Sequence, residues 1–266
     1  GPQIVAQTQF PYGTREDGNL WTRFFEPLPF AAGNAAGGQV RAIWELEHQG
    51  WCFGSYHAAA RRACRLYAPG RQGWRRVFHD VYRRYIRPRP EILERAARFR
   101  RTHLAGRHTV GVHIRNLRHS QEQVGQEAYG VPHFAQAIRR LYGGDLPAIF
   151  LATDSDDVIQ AMHDEFGPAV VYQTDVLRTP AGEDEQLHFF RQGDVRFGQD
   201  VLTDGLLLAA CDRLIHVTSN VATAVALFNP DLDLHYIGRF EPATRVLWDQ
   251  VWGTLRRVMP HAVEAD

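Results

Sequence analysis

The sequence predicts an α/β protein built on a doubly wound parallel sheet. The first sign is that, from Arg107 onward, short apolar or β-branched runs alternate with longer segments of helical spacing, the pattern of repeated strand–helix units. The second is that three of those runs end in polar clusters: His113-Ile114-Arg115-Asn116, Thr153-Asp154-Ser155 and Thr218-Ser219-Asn220. Sheets of this kind bind ligands at the carboxyl ends of their strands, so all three clusters are expected on one rim.

The elements follow in order. Thr109–His113 is a compact β-branched run and reads as a buried strand. Val131–Tyr142 has helical spacing, and Ala148–Ala152 is a second buried strand. Ser155–Phe166 reads as a helix whose acidic first turn suits the positive end of the helix dipole. Ala169–Tyr172 is a third strand, followed by a long polar loop over 173–197, of a length usually tied to function. Gln199–Ala210 is a helix, Arg213–Val217 a fourth strand, Ser219–Phe228 a helix and Leu232–Ile237 a fifth strand. A last helix is expected from about 243 to 258. The first 105 residues are written differently. Leu20, Trp21, Phe24, Phe25 and Leu28 recur at helix-like spacing until Pro29. Three helical segments then follow from about Ser55, broken at Pro69-Gly70 and around Pro88 and Pro90. Three parts are therefore expected: a mostly helical one over 1–105, the sheet over 106–240, and a C-terminal helix over 241–266 that packs back.

Composition removes several chemistries. The 266 residues carry 30 basic and 30 acidic side chains, a formal net charge of zero, so no overall field draws nucleic acid. Every one of those basic residues is arginine, which we read as codon bias in a GC-rich, bacterial-type genome. Without lysine there is no Schiff base and no Walker-type phosphate loop. Anion binding falls to arginine, whose planar fork suits phosphate oxygens. Cys52, Cys64 and Cys211 show no zinc or redox spacing, and no signal peptide is visible, so a reducing, cytoplasmic setting is expected. No run of roughly 18 apolar residues is present to span a membrane. The opening Gly1-Pro2 reads as the remnant of a cleaved tag, so the natural chain is expected to extend further.

His113 and Arg115 alternate with Ile114 and so point to one face of their strand. An arginine there can hold a diphosphate and neutralise it as a leaving group; it can equally be a strand-end arginine paired with a carboxylate. Ser219 or Thr218 can cap the helix that follows, and the same N–H groups can bind phosphate. Asp154 stands at a strand end. Asp154-Ser155-Asp156 has the Asp-x-Asp form that can hold a divalent cation, but it opens a helix where acids are expected anyway. The 13 histidines show no metal-ligand spacing, and no metal site is expected. Asp200 and Asp204 lie one helical turn apart. Asp200 can be a dipole partner alone, whereas Asp204 sits in the apolar run Val-Leu-Thr-Asp-Gly-Leu-Leu-Leu, where an unpaired carboxylate is costly.

Three stretches together resemble a known family. Val110–Arg115 is similar to the His-x-Arg strand motif of the α1,6-fucosyltransferase and NodZ superfamily, which includes the protein O-fucosyltransferases. Phe150–Ser155 is similar to its second motif, a strand ending in Thr-Asp. Asp200–Val221 resembles its third, an acid-bearing helix, a Cys-Asp turn, a strand, then hydroxyl residues and an amide. The resemblance covers about residues 107–240 in the right order. It implies a GT-B-like fold and inverting, metal-independent transfer of fucose from GDP-fucose to a glycan or protein hydroxyl, with no cofactor beyond the donor. By position it implies that Arg115 contacts the diphosphate with help from His113, that Asp204 contacts the base, that Ser219 and Asn220 bind phosphate, and that Asp154 lines the rim. Asn116 stands where many relatives carry a second basic residue, a place Arg118 can take. The glycine-rich first loop of the family has candidates only in Gly13–Asn19 and Gly33–Gly38. The readings kept open beside it are a transferase for another nucleotide sugar and a non-catalytic nucleotide- or glycan-binding module of a larger protein.

Overall fold

The computed structural model describes residues 20–27, 72–115, 129–182, 194–217 and 219–238. In these the chain runs through α1 (Trp21–Phe24), α2 (Gln72–Tyr85), α3 (Pro90–Phe99), β1 (Thr109–Ile114), α4 (Val131–Tyr142), β2 (Ala148–Thr153), α5 (Asp156–Phe166), β3 (Val170–Val171), α6 (Val195–Ala209), β4 (Arg213–His216), α7 (Asn220–Phe228) and β5 (Asp233–Tyr236). A π-helical turn, Arg100–Leu104, extends α3 toward β1. The five strands form one all-parallel sheet in the order β3-β2-β1-β4-β5. The chain first winds outward from β1 to β3, then returns to place β4 on the other side of β1. That reversal makes a switch point between the tips of β1 and β4.

Burial follows from the parallel arrangement, which covers both faces of a sheet with helices. All six residues of β1 and all six of β2 are buried. On one face Val110, Val112, Ile149, Leu151 and Ile215 pack with Phe134 and Ile138 of α4 and Ile159 and Met162 of α5. On the other, Phe150 and Leu214 pack with Ala96 of α3, Leu104, Leu207 and Leu208 of α6, and Val225 of α7. Helices α2 and α3, from the N-terminal third of the sequence, thus lie against the sheet layer: α3 beside α6, and α2 beside α7 through Tyr82 and Phe228, whose rings are 5.3 Å apart edge to face. At Gly111 β1 comes close to α6 and the turn after it, because a Cβ there would stand 3.0 Å from Leu208 Cδ2 and 3.3 Å from Cys211 Sγ.

The elements predicted between Arg107 and Ile237 form where expected, with shifted ends. Helix α6 begins four residues earlier than Gln199, because the Asp194 carboxylate accepts the Arg196 N–H at 2.8 Å and caps it. The helix expected from Leu20 is only the single turn α1. Phe25 is already extended, and it pairs antiparallel with Pro88. The segments 1–19, 28–71, 116–128, 183–193 and 239–266, with Thr218, lie outside the described residues. They include Asn116, Arg118, both glycine-rich candidates and the expected last helix.

Candidate functional site

The three polar clusters meet where parallel pairing puts them, at the carboxyl ends of β1, β2 and β4. His113 is the penultimate residue of β1, and Arg115 follows the strand, half-buried. Asp154 follows β2 directly, with its backbone carbonyl accepting the Thr179 N–H at 2.9 Å. Across the switch point Ser219 caps α7, its Oγ accepting the Ala222 N–H at 2.9 Å. The same oxygen lies 3.2 Å from His113 Nδ1. One hydroxyl therefore joins the tip of β1 to the start of α7, whose first residue is Asn220. Burial pushes the His113 imidazole down to about 4; the Asp154 charge opposes that and the Arg115 charge adds to it. His113 is therefore neutral at pH 7, and Arg115 beside it carries a positive charge at the tip of β1.

A second set of polar groups lies behind the rim, on the α6 side. Asp204 is 8% exposed, and burial pushes its carboxyl up to about 7. Its Oδ1 accepts the Gln173 side-chain amide at 2.7 Å. Asp200, one turn earlier, is fully buried and paired with Arg95 of α3, which also reaches Asp175 at 3.3 Å. Asp200 is thus an ion-pair partner rather than only a dipole partner.

Sequence reasoning missed Gln173 and Arg178, which fall at the start of the stretch read as a polar loop. Both are buried, at 1% and 8% exposure. Arg178 donates from Nε to the Thr153 carbonyl at 3.2 Å, from Nη2 to the Gln173 carbonyl at 2.7 Å and from Nη1 to the Val176 carbonyl at 3.4 Å. Its guanidinium also lies over the Tyr172 ring at 5.3 Å. Nothing in the local sequence marks them, since their partners are backbone carbonyls and a residue 31 positions away. Residues 173–182 are therefore woven into the rim, an arrangement completed by the Ser155–Thr179 bridge and by Gly182 N–H donating to Asp157 Oδ1 at 3.1 Å.

The Cys211-Asp212 turn lies at the other end of the strands, before β4 and beside the start of β1. Asp212 Oδ2 accepts the Thr109 N–H at 2.7 Å and the Thr109 hydroxyl at 3.0 Å, tying α6 to the start of β1. Burial pushes the Cys211 thiol up to about 12. These two residues are structural. His216, the last residue of β4, is fully buried beside Tyr236. Asp156 is exposed in the first turn of α5, and among the described residues no cluster of His, Cys, Asp or Glu could hold a metal ion. Nor, among the same residues, is any helix long and apolar enough to cross a membrane.

Fold and rim together define the class: a doubly wound parallel α/β sheet whose switch point carries an arginine, a neutral histidine and a capped helix N-terminus. No known protein family's profile and no curated protein matches the sequence. Solved structures do match. The fucosyltransferase NodZ from Bradyrhizobium is 22% identical, with a TM-score of 0.37 over 54% of this chain and 42% of that one. The NodZ α-1,6-fucosyltransferase soaked with GDP-fucose is 24% identical, with 0.37 over 55% and 44%. POFUT1 in complex with GDP is 15% identical, with 0.41 over 58% and 50%. The chain is similar to these fucosyltransferases, and it spans half of their length or less.

Proposed function

We propose that the chain is a glycosyltransferase that takes fucose from GDP-fucose, with the donor's diphosphate held at the β1/β4 switch point. The observation that carries this reading is the pairing across that point of Arg115, after β1, with the Ser219-capped start of α7, linked by the 3.2 Å contact from Ser219 to His113. A fork-shaped cation and the N–H groups of a helix start on the two sides of one switch point suit a diphosphate better than a single phosphate or a neutral ligand. The three motif stretches support the donor class.

In the proposed reaction an acceptor hydroxyl oxygen bonds to the anomeric carbon of the sugar from the face opposite the leaving group. The anomeric C–O bond breaks, its electron pair stays on the diphosphate oxygen, the configuration inverts and the hydroxyl proton leaves to solvent or a base. Arg115 stabilises the charge that develops on the departing diphosphate. His113, Ser219 and Asn220 hold the phosphates, with Asn116, Arg118 and Thr218 completing that shell, while Asp154 lines the rim and Asp204 accepts N–H groups of the base. The cationic role falls to Arg115 and the α7 terminus, with no metal ion assigned. The N-terminal part of the chain is assigned to the glycan or protein acceptor.

Thermal-shift measurement with GDP, UDP and CMP tests the donor, because a ligand of the native state raises the midpoint. GDP is expected to raise it and the other two to leave it unmoved; a UDP or CMP response overturns the guanine assignment. Arg115→Ala is expected to lower transfer, read as GDP release from GDP-fucose, by about 100-fold or more with the melting temperature little changed. Retention of most activity overturns the mechanism. GDP binding without transfer to any acceptor points instead to a nucleotide-binding module.

A further inference from the structure

Arg178 is an unusual side chain. A buried guanidinium carries five N–H donors and no acceptor, and this one spends them on main-chain carbonyls. Two of those carbonyls belong to different strand ends: Thr153 is the last residue of β2, directly before Asp154, and Gln173 follows β3. The clamp fixes the backbone of Gln173, whose side-chain amide then reaches Asp204 Oδ1 at 2.7 Å. A single chain of contacts thus runs from the tip of β2 through Arg178 and Gln173 to the carboxylate on α6. Among the described residues nothing donates to the second oxygen of Asp204.

We propose that Arg178 and Gln173 are a positioning pair for the nucleotide site. By clamping the ends of β2 and β3 together, Arg178 sets Gln173 against one oxygen of Asp204, which leaves the other oxygen to accept ring and exocyclic N–H groups of a bound base. This rests on the donor reading above and adds to it the residues that orient the base-recognising acid. Neither residue touches the base, so each acts through Asp204.

The charged groups facing Asp204 are Arg178, Arg95 of α3 and Asp200 of its own helix. Burial is the main influence on the carboxyl and raises it; the Gln173 hydrogen bond and the Arg178 charge hold it down, Asp200 pushes it up and Arg95 opposes that. Only the carboxylate can accept from two N–H groups, so binding that uses it is strong above its titration and is lost as pH falls through it. Removing either member of the pair is expected to move that loss to higher pH.

The test uses the full chain with GDP as probe, titrated calorimetrically from pH 6 to 9. Gln173→Met removes the amide donor while leaving the main-chain carbonyl to Arg178. It is expected to weaken GDP about tenfold at pH 7 and to recover to within about twofold of the parent at pH 9. Arg178→Lys keeps a positive charge but loses the two-carbonyl fork, and the same pattern is expected with a smaller loss. A loss equal at all pH values, or none, in Gln173→Met overturns the proposal, including the case where Arg178→Lys does not fold. Carboxyl NMR of the ligand-free proteins separates the two readings. If Asp204 titrates higher in Gln173→Met while the parent ignores GDP, the pair acts on Asp204 as described and the donor reading is the one that fails.

Discussion

Asp204 shows at the scale of one residue how a site opposes stability. Burial lifts its carboxyl from the ordinary 3.8 to about 7. An acid whose folded value lies above its unfolded one holds its proton more tightly in the folded chain, so the folded state loses stability as pH rises from about 4 to about 7. Asp204→Asn removes that charge. The variant is expected to be more stable than the parent by about 2–4 kcal/mol at pH 8, with the difference shrinking to nothing near pH 4, while GDP binding weakens. Denaturant melts at the two pH values check it, and a pH-independent difference contradicts it. His113 has the opposite linkage: burial takes it below its ordinary 6.5 to about 4, so its contribution is present above 6.5 and is lost as pH falls toward 4. That Asp204 was anomalous could be read from its apolar neighbours in the sequence. Its surroundings could not, because the Gln173 amide reaches it from 31 positions away, and Arg178, whose charge acts on it, is itself held by backbone carbonyls that carry no side-chain signature.

At the scale of elements, hydrophobic period and capping chemistry placed the strands and helices between Arg107 and Ile237 to within a few residues. The misses have local causes. Helix α6 starts early because Asp194 caps it, and α1 is one turn because the Phe25–Pro88 pairing draws the chain into an extended form. The contact between β1 and α6 yields a prediction of definite sign. Glycine within a strand costs entropy, so alanine at Gly111 would ordinarily stabilise. Here its Cβ meets Leu208 Cδ2 at 3.0 Å in a packed core, and crowding of that kind costs about 1–3 kcal/mol. Gly111→Ala is therefore expected to lower the melting temperature, and an unchanged or raised value would show that Leu208 and Cys211 yield.

For the whole molecule, the strand order concentrates stability in the centre of the sheet. β1, β2 and β4 are covered on both faces, whereas β3 has two residues and β5 is half-exposed at the edge. Amide exchange is expected to be slowest in Val110–Ile114 and Ile149–Thr153 and faster by about tenfold or more in β5; equal protection across the sheet would contradict it. The polar clusters stand at the ends of these buried central strands, so the rim is built on the best-covered part of the sheet.

By itself the sequence determined the sheet class, the order of its elements and the residues at three strand ends, because periodicity and capping are local and written in consecutive residues. Tertiary structure decided which of those ends face one another, that Ser219 bridges to His113, and that Arg178 and Gln173 belong to the site at all. Those outcomes depend on strand order and on main-chain carbonyls brought together from distant positions, and neither is encoded in any short stretch of the chain.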